Sequence, residues 1–123
     1  MARLLVVDDE EKIRLIIRKY AEMEGHQVTE AKDGIEAVSI CALEDFDVII
    51  LDVMMPGMDG PEVFRRMQED ERTQGIPVFF MTAVTDRDRV LECMEMNPEE
   101  YLVKPVSSSK LLKKLSDLFE KES

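Results

Sequence analysis

The sequence predicts an α/β fold with a doubly wound, five-stranded parallel sheet, and three observations carry that prediction. Short apolar runs alternate with amphipathic segments along the whole chain, five of each. Leu4-Leu5-Val6-Val7, Val48-Ile49-Ile50-Leu51 and Val78-Phe79-Phe80-Met81 are apolar throughout, as strands covered on both faces must be. At 123 residues the chain has the size of a single domain, 1–123, able to bury roughly two-thirds of its unfolded surface without a disulfide or a structural metal.

Strand 1 is residues 3–7. From Asp9 to Glu24, Ile13, Ile16, Ile17 and Tyr20 recur at helical spacing with Lys12, Arg14, Arg18 and Lys19 between them, and Gly25 stops the helix. Gln27–Ala31 is a less apolar strand, suited to a sheet edge. Asp33-Gly34 turns into a second helix carrying Ile35, Ala37, Val38, Ile40, Cys41 and Leu43. Residues 47–51 form strand 3, and Pro61 suits the first turn of a third helix whose buried stripe is Val63, Phe64 and Met67.

Strand 4 spans Pro77–Met81, and a helix from Asp86 to Glu95 turns Val90, Leu91 and Met94 inward. Tyr101–Val103 makes strand 5. Ser107-Ser108-Ser109 caps a last helix with Leu111, Leu112, Leu115, Leu118 and Phe119 on one side. The strand order 2-1-3-4-5, with helices on both faces, suits an edge-like second strand, and its working crevice lies where strands 1 and 3 end.

Composition narrows the function classes. A formal net charge of −11 and a pI near 4.5 repel phosphate backbones and anionic lipid, so direct nucleic-acid binding is not expected. Cys41 and Cys93 sit singly among apolar residues, which predicts buried free thiols in a reducing compartment. No apolar stretch reaches transmembrane length and the first strand begins almost at once, so a cytoplasmic domain without signal peptide or membrane contact is expected.

Each strand reaching the crevice ends in a polar residue: Asp8 and Asp9 after strand 1, Asp52 after strand 3, Thr82 after strand 4, Lys104 after strand 5. Three converging carboxylates repel one another unless a cation neutralises them, and Mg²⁺ is the oxygen-seeking candidate. Lys104 adds a point charge and Thr82 a hydroxyl donor. Such groups can hold the oxygens of a phosphoryl group under attack by a carboxylate. Taken singly, each has an ordinary reading: a strand-end acid is a turn or cap residue, and Asp9 ahead of Glu10-Glu11 favours a helix N-terminus. Five matching groups at four strand ends outweigh those readings.

These residues carry a resemblance. Val6-Val7-Asp8-Asp9-Glu10, Leu51-Asp52-Val53-Met54-Met55-Pro56-Gly57-Met58-Asp59-Gly60, Pro77–Ala83 and Tyr101-Leu102-Val103-Lys104-Pro105 stand in the order and spacing of a response-regulator receiver domain of two-component systems, over essentially the full chain. The resemblance implies a flavodoxin-like fold and a phosphoacceptor rather than a turnover enzyme. Asp52 would accept a phosphoryl group from a sensor histidine kinase or phosphotransfer protein. Mg²⁺ would be held by Asp8, Asp9, Asp52 and the backbone carbonyl of Met54. Lys104 and Thr82 would contact the phosphoryl group, Tyr101 would switch from outward to inward, and a cis bond before Pro105 would direct the lysine. Phosphorylation would shift the population of the strand 4–helix 4–strand 5–helix 5 side, which would dock a downstream partner or output domain or form a phosphorylation-dependent homodimer.

The chain also departs from the family pattern. Met96-Asn97-Pro98 stands where a glycine usually ends helix 4; asparagine tolerates a left-handed conformation better than most residues but the following proline restricts it, so a differently shaped end to helix 4 is expected. Val106 replaces a common aromatic. Met54 and Val84 cannot orient an attacking water, which predicts slow self-dephosphorylation, and Met54, Met55 and Met58 make either an adaptable contact surface or mobile loop packing. Other readings fit less well. A haloacid-dehalogenase-like phosphatase needs an aspartate where Met54 stands, and a flavodoxin-like cofactor binder needs a phosphate cradle where Asp8-Asp9-Glu10 stands. An atypical receiver, acting as a phosphorylation-independent protein-binding module, would lack a site residue, and none is missing. Both a stand-alone receiver and the receiver portion of a longer regulator are compatible with these residues.

Overall fold

The computed structural model describes residues 2–83 and 87–122. Its elements are β1 (Arg3–Val7), α1 (Glu11–Met23), β2 (Gln27–Ala31), α2 (Gly34–Cys41), β3 (Val48–Asp52), α3 (Gly60–Gln68), β4 (Val78–Thr82), α4 (Arg87–Glu95), β5 (Glu100–Val103) and α5 (Ser108–Glu122). All strand pairs are parallel, in the order β2-β1-β3-β4-β5, so the less apolar β2 does lie at an edge.

The pleat divides the core into two layers. Leu5, Val7, Ile49, Leu51 and Phe80 face α2, α3 and α4, meeting Ala37, Cys41, Val63, Phe64, Met67 and Cys93. Leu4, Val6, Val48, Ile50, Phe79 and Met81 face α1 and α5, meeting Ile17, Ala21, Leu111, Leu115 and Leu118. Both cysteines are free and buried, and burial pushes each thiol up to about 11.

Several boundaries and faces differ from the sequence expectation, each for a local reason. Helix α1 starts at Glu11 rather than Asp9, because Asp8 Oδ1 accepts the Glu10 N–H at 2.9 Å and keeps residues 8–10 in a turn. Within α1, Ile17 is buried while Ile16 is exposed, and in α2 Ile35 and Leu43 are exposed while Ala37 and Cys41 face the core. The largest difference is in α4. Leu91 and Met94, expected inward, are 61% and 54% exposed, and Cys93 takes the core position at 0%.

The helix ends are set by local chemistry. Gly25 closes α1 at φ +85° and Asn97 follows α4 at φ +51°, the left-handed region glycine and asparagine tolerate best. Asp33 and Asp59 cap α2 and α3 by accepting the N–H groups of Glu36 and Glu62.

Candidate functional site

The site forms where β1 and β3 run out. Val7 pairs with Leu51 as the last register pair of these strands, so Asp8 and Asp52 follow side by side at the sheet's carboxyl edge. Both are buried, at 0% and 3% exposure, whereas Asp9 is exposed. Carboxylate oxygens of Asp8, Asp9 and Asp52 lie within 4.8 Å of one another. Lys104, delivered by the end of β5, places Nζ 3.0 Å from Asp8 Oδ2 and 3.0 Å from Asp52 Oδ1. Its backbone N–H donates to Thr82 O at 2.8 Å, and the Lys104–Pro105 peptide is cis.

One ammonium does not balance three carboxylates. Burial first, then the neighbouring Asp8 charge, push the Asp52 carboxyl up to about 7 despite the opposing pull of Lys104. Burial works against the Lys104 charge, yet the Asp8 and Asp52 contacts prevail and raise its pKa. Asp8 Oδ2, although 3.0 Å from Nζ, has no well-directed hydrogen bond among the described residues. A buried carboxylate oxygen left with spare acceptor capacity, beside two further acids, fits the oxygen donor set of a hard divalent cation. The donor set of Asp8, Asp9 and Asp52 therefore suits Mg²⁺.

The loop after Asp52 is folded back on itself. Val53 N–H donates to Met81 O at 2.9 Å, and Gly60 N–H donates to Val53 O at 3.0 Å. Gly60 sits so close that a Cβ there would stand 2.4 Å from Asp52 O, so no side chain fits without moving the end of β3. Met54 points outward and is half-exposed. Val84, the other apolar neighbour read from the sequence, lies outside the described residues.

Thr82 is buried at the end of β4, its Oγ1 donating to Ala83 O at 3.2 Å. Tyr101 lies inward on β5, opposite Phe80 in register, with ring centroids 6.1 Å apart. Its hydroxyl is buried without a partner among the described residues, and burial pushes it up to about 12. Thr82 and Tyr101 both line an open apolar groove of about 510 Å³, whose other walls are Ala83, Val90, Leu91, Met94 and Val103.

Two polar assemblies were not legible in the sequence. Arg14 and Arg18, which the sequence only places between the apolar positions of α1, clasp Glu30 of β2. An ion network joins α3 to α4: Arg65 and Arg89 share Glu92, and Arg89 also engages Asp59 at the N-terminus of α3. Apart from Arg89–Glu92 within α4, these pairs join residues 12 to 30 positions apart and leave no periodic trace.

This sheet order, with acids at the ends of β1 and β3 and a lysine after β5, places the chain in a known class. The chain belongs to the response regulator receiver domain family, whose sequence model matches residues 4–116. It is 36% identical over 121 residues to the transcriptional regulatory protein ResD of Bacillus subtilis, a match covering 98% of this chain and 49% of ResD. It is 32% identical over 120 residues to the chemotaxis protein CheY-3 of Vibrio cholerae, covering 97% of this chain and 92% of CheY-3. The chain thus spans about half the length of ResD and nearly all of CheY-3. Among solved structures, the receiver domain of a signal transduction histidine kinase from Syntrophus aciditrophicus superposes with a TM-score of 0.91 at 27% identity, covering 98% of this chain and 92% of that one.

Proposed function

We propose that residues 1–123 act as a single phosphoacceptor receiver domain, taking a phosphoryl group from a histidine kinase or phosphotransfer protein onto Asp52. The observation that carries this reading is the contact of Lys104 Nζ with both Asp8 and Asp52 at the edge of a three-carboxylate pocket. In the transfer, a carboxylate oxygen of Asp52 forms a bond to phosphorus as the phosphohistidine N–P bond breaks. Asp52 must be ionised to attack, and its raised pKa works against that at neutral pH. Mg²⁺, held by Asp8, Asp9, Asp52 and the Met54 backbone carbonyl, would supply positive charge that favours the ionised form of Asp52 and offsets charge on the phosphoryl oxygens. Lys104 would hold one of those oxygens, and Thr82 would donate to another once its hydroxyl leaves Ala83 O.

The chain is read as a signalling domain rather than a turnover enzyme. Thr82 and Tyr101 share one groove, so movement of the threonine toward the phosphoryl group frees space beside the phenol and biases the packing of α4 and β5. The exposed apolar residues Leu91, Met94 and Val103 are the surface on which a downstream protein or output domain would read that change, or on which two phosphorylated copies would pair. Among the described residues no helix is long and apolar enough to cross a membrane, which suits a cytoplasmic partner of a sensor kinase.

Incubation with phosphoramidate and Mg²⁺, followed by intact-mass measurement, tests the reading. A phosphoryl adduct is expected on the wild type and none on Asp52→Ala. Absence of the adduct, or its persistence in the mutant, overturns the reading and leaves a phosphorylation-independent binding module. Met54 offers no polar atom to orient a hydrolytic water, so the phosphorylated state should be long-lived. Met54→Asn should shorten its lifetime by about tenfold or more, and a wild-type adduct that hydrolyses as fast as the variant's contradicts the claim.

A further inference from the structure

The pairing of β1 with β3 ends at Val7, so the carbonyl of Asp8 lies beyond that ladder and needs a donor from elsewhere. The donor comes from a side chain of α1: Arg14 Nη1 donates to Asp8 O at 2.7 Å. Through Nε the same guanidinium donates to Glu30 Oε1 at 3.0 Å, and Glu30 Oε2 accepts from Arg18 Nη1 at 2.5 Å. Arg18 is itself anchored on Val28 O at 2.7 Å. The side chains of Arg14 and Glu30 are only 14% and 18% exposed, so water competes little for these bonds.

Asp8 is thereby held at three points. Its N–H donates to Ala31 O at 3.2 Å, its Oδ1 accepts from Glu10 N–H at 2.9 Å, and its carbonyl accepts from Arg14. The carbonyl belongs to the peptide that joins Asp8 to Asp9, and the tilt of that peptide sets where the Asp9 side chain departs. Among the described residues, none hydrogen-bonds the exposed Asp9 carboxylate, so the peptide is what aims it.

From this we infer that Arg14 is a positioning residue for the divalent-cation site: its hold on the Asp8 carbonyl, braced by Glu30, fixes the Asp8–Asp9 peptide and directs both carboxylates. The inference rests on the reading of Asp8, Asp9 and Asp52 as a Mg²⁺ site. Coulomb's law gives it a sharp opponent. Arg14 is a cation near a cation site, so removing its charge would by itself tighten Mg²⁺ binding. A positioning role predicts the reverse sign.

The experiment is calorimetric titration of the full, unphosphorylated chain with MgCl₂, with thermal unfolding alongside as a check on folding. Three proteins are compared: wild type, Arg14→Gln and Arg72→Gln. Arg72 is a control of the same bonding type but more exposed: it also grips a backbone carbonyl, Ala42 O at 2.6 Å, and a carboxylate, Asp45, after α2 and away from the acids. Arg14→Gln is expected to weaken Mg²⁺ binding by about tenfold or more, the usual cost of losing a group that orients a metal ligand, while Arg72→Gln matches the wild type. Unchanged or tighter binding in folded Arg14→Gln overturns the proposal, and so does an equal weakening in both variants. If Arg14→Gln does not fold, Arg14→Lys decides by the same criteria, because it keeps the charge and loses the fork that serves Glu30 and Asp8 together. A wild type that binds no Mg²⁺ overturns the cation-site reading and this inference with it, an outcome separate from a wild type that binds and a variant that binds equally well.

Discussion

On the β1–β3 side of the crevice Asp8 is held at its N–H, its carbonyl and one carboxylate oxygen, and the loop after Asp52 is closed by two backbone hydrogen bonds. On the β4–β5 side the wall is an open groove of about 510 Å³, the Tyr101 hydroxyl is buried without a partner among the described residues, and Leu91, Met94 and Val103 face solvent. Groups that must meet a small ion and a phosphoryl group need fixed positions, since their electrostatic effect depends on preorganisation. Groups that must change packing need a nearby alternative of similar free energy, which spare volume and an unsatisfied hydroxyl provide. On the proposed reading, reaction and report would be divided between the middle of the sheet and its β5 edge, joined through Thr82.

The largest expected effect lies on the tight side. Lys104→Met leaves two buried carboxylates facing each other without a counter-charge, and should cost about 3 kcal/mol at pH 8 without divalent cation. Urea unfolding would show it, with part of the loss recovered on adding Mg²⁺. A variant as stable as the wild type would mean the acid pocket is looser than the geometry indicates.

Asp52 gives that side a distinct pH dependence. Its pKa is higher folded than unfolded, so the folded state binds the proton more tightly. Its contribution to stability is therefore complete below the ordinary aspartate range and is lost as pH rises through about 7. Unfolding in EDTA at pH 5 and pH 8 should show this decline, and Asp52→Asn should remove its share. A rise in stability over that interval traced to Asp52 would contradict it.

Smaller effects separate the two faces of α4. Cys93→Ser places a hydroxyl in an apolar core position and should cost about 2 kcal/mol, whereas Leu91→Ala should stay within about 0.5 kcal/mol. Equal costs would mean that α4 is rotated from the orientation described. On the loose side, Tyr101→Phe removes a buried hydroxyl that lacks a partner among the described residues and should stabilise the unphosphorylated chain by about 1 kcal/mol. Destabilisation by that amount would reveal a partner for the phenol.

Strand order and the strand-end residues were legible because both depend on short-range pattern. A fully apolar run marks a doubly covered strand, and the residue that breaks it marks the crevice. The faces of α4 were not. Val90, Leu91 and Met94 outweigh Cys93 in apolar size, yet the small thiol is what packs in the layer beneath Phe80 and Tyr101. The start of α1 was missed because one side-chain bond, from Asp8 to Glu10 N–H, displaced it by two residues. Arg14 carried no signal at all, since an arginine in a helix has the same periodicity whether it meets water or a carbonyl beyond the end of a strand.

The placement of Tyr101 also gives the domain a built-in optical reporter. The chain has no tryptophan and two tyrosines, so its ultraviolet emission comes from Tyr20 on α1 and Tyr101 in the groove wall. Any rearrangement of the groove alters one of two fluorophores with no indole background, and Tyr20→Phe would leave Tyr101 as the sole source. Stopped-flow emission on that variant would time the motion of the β4–β5 edge against formation of the adduct, without a dye or a label.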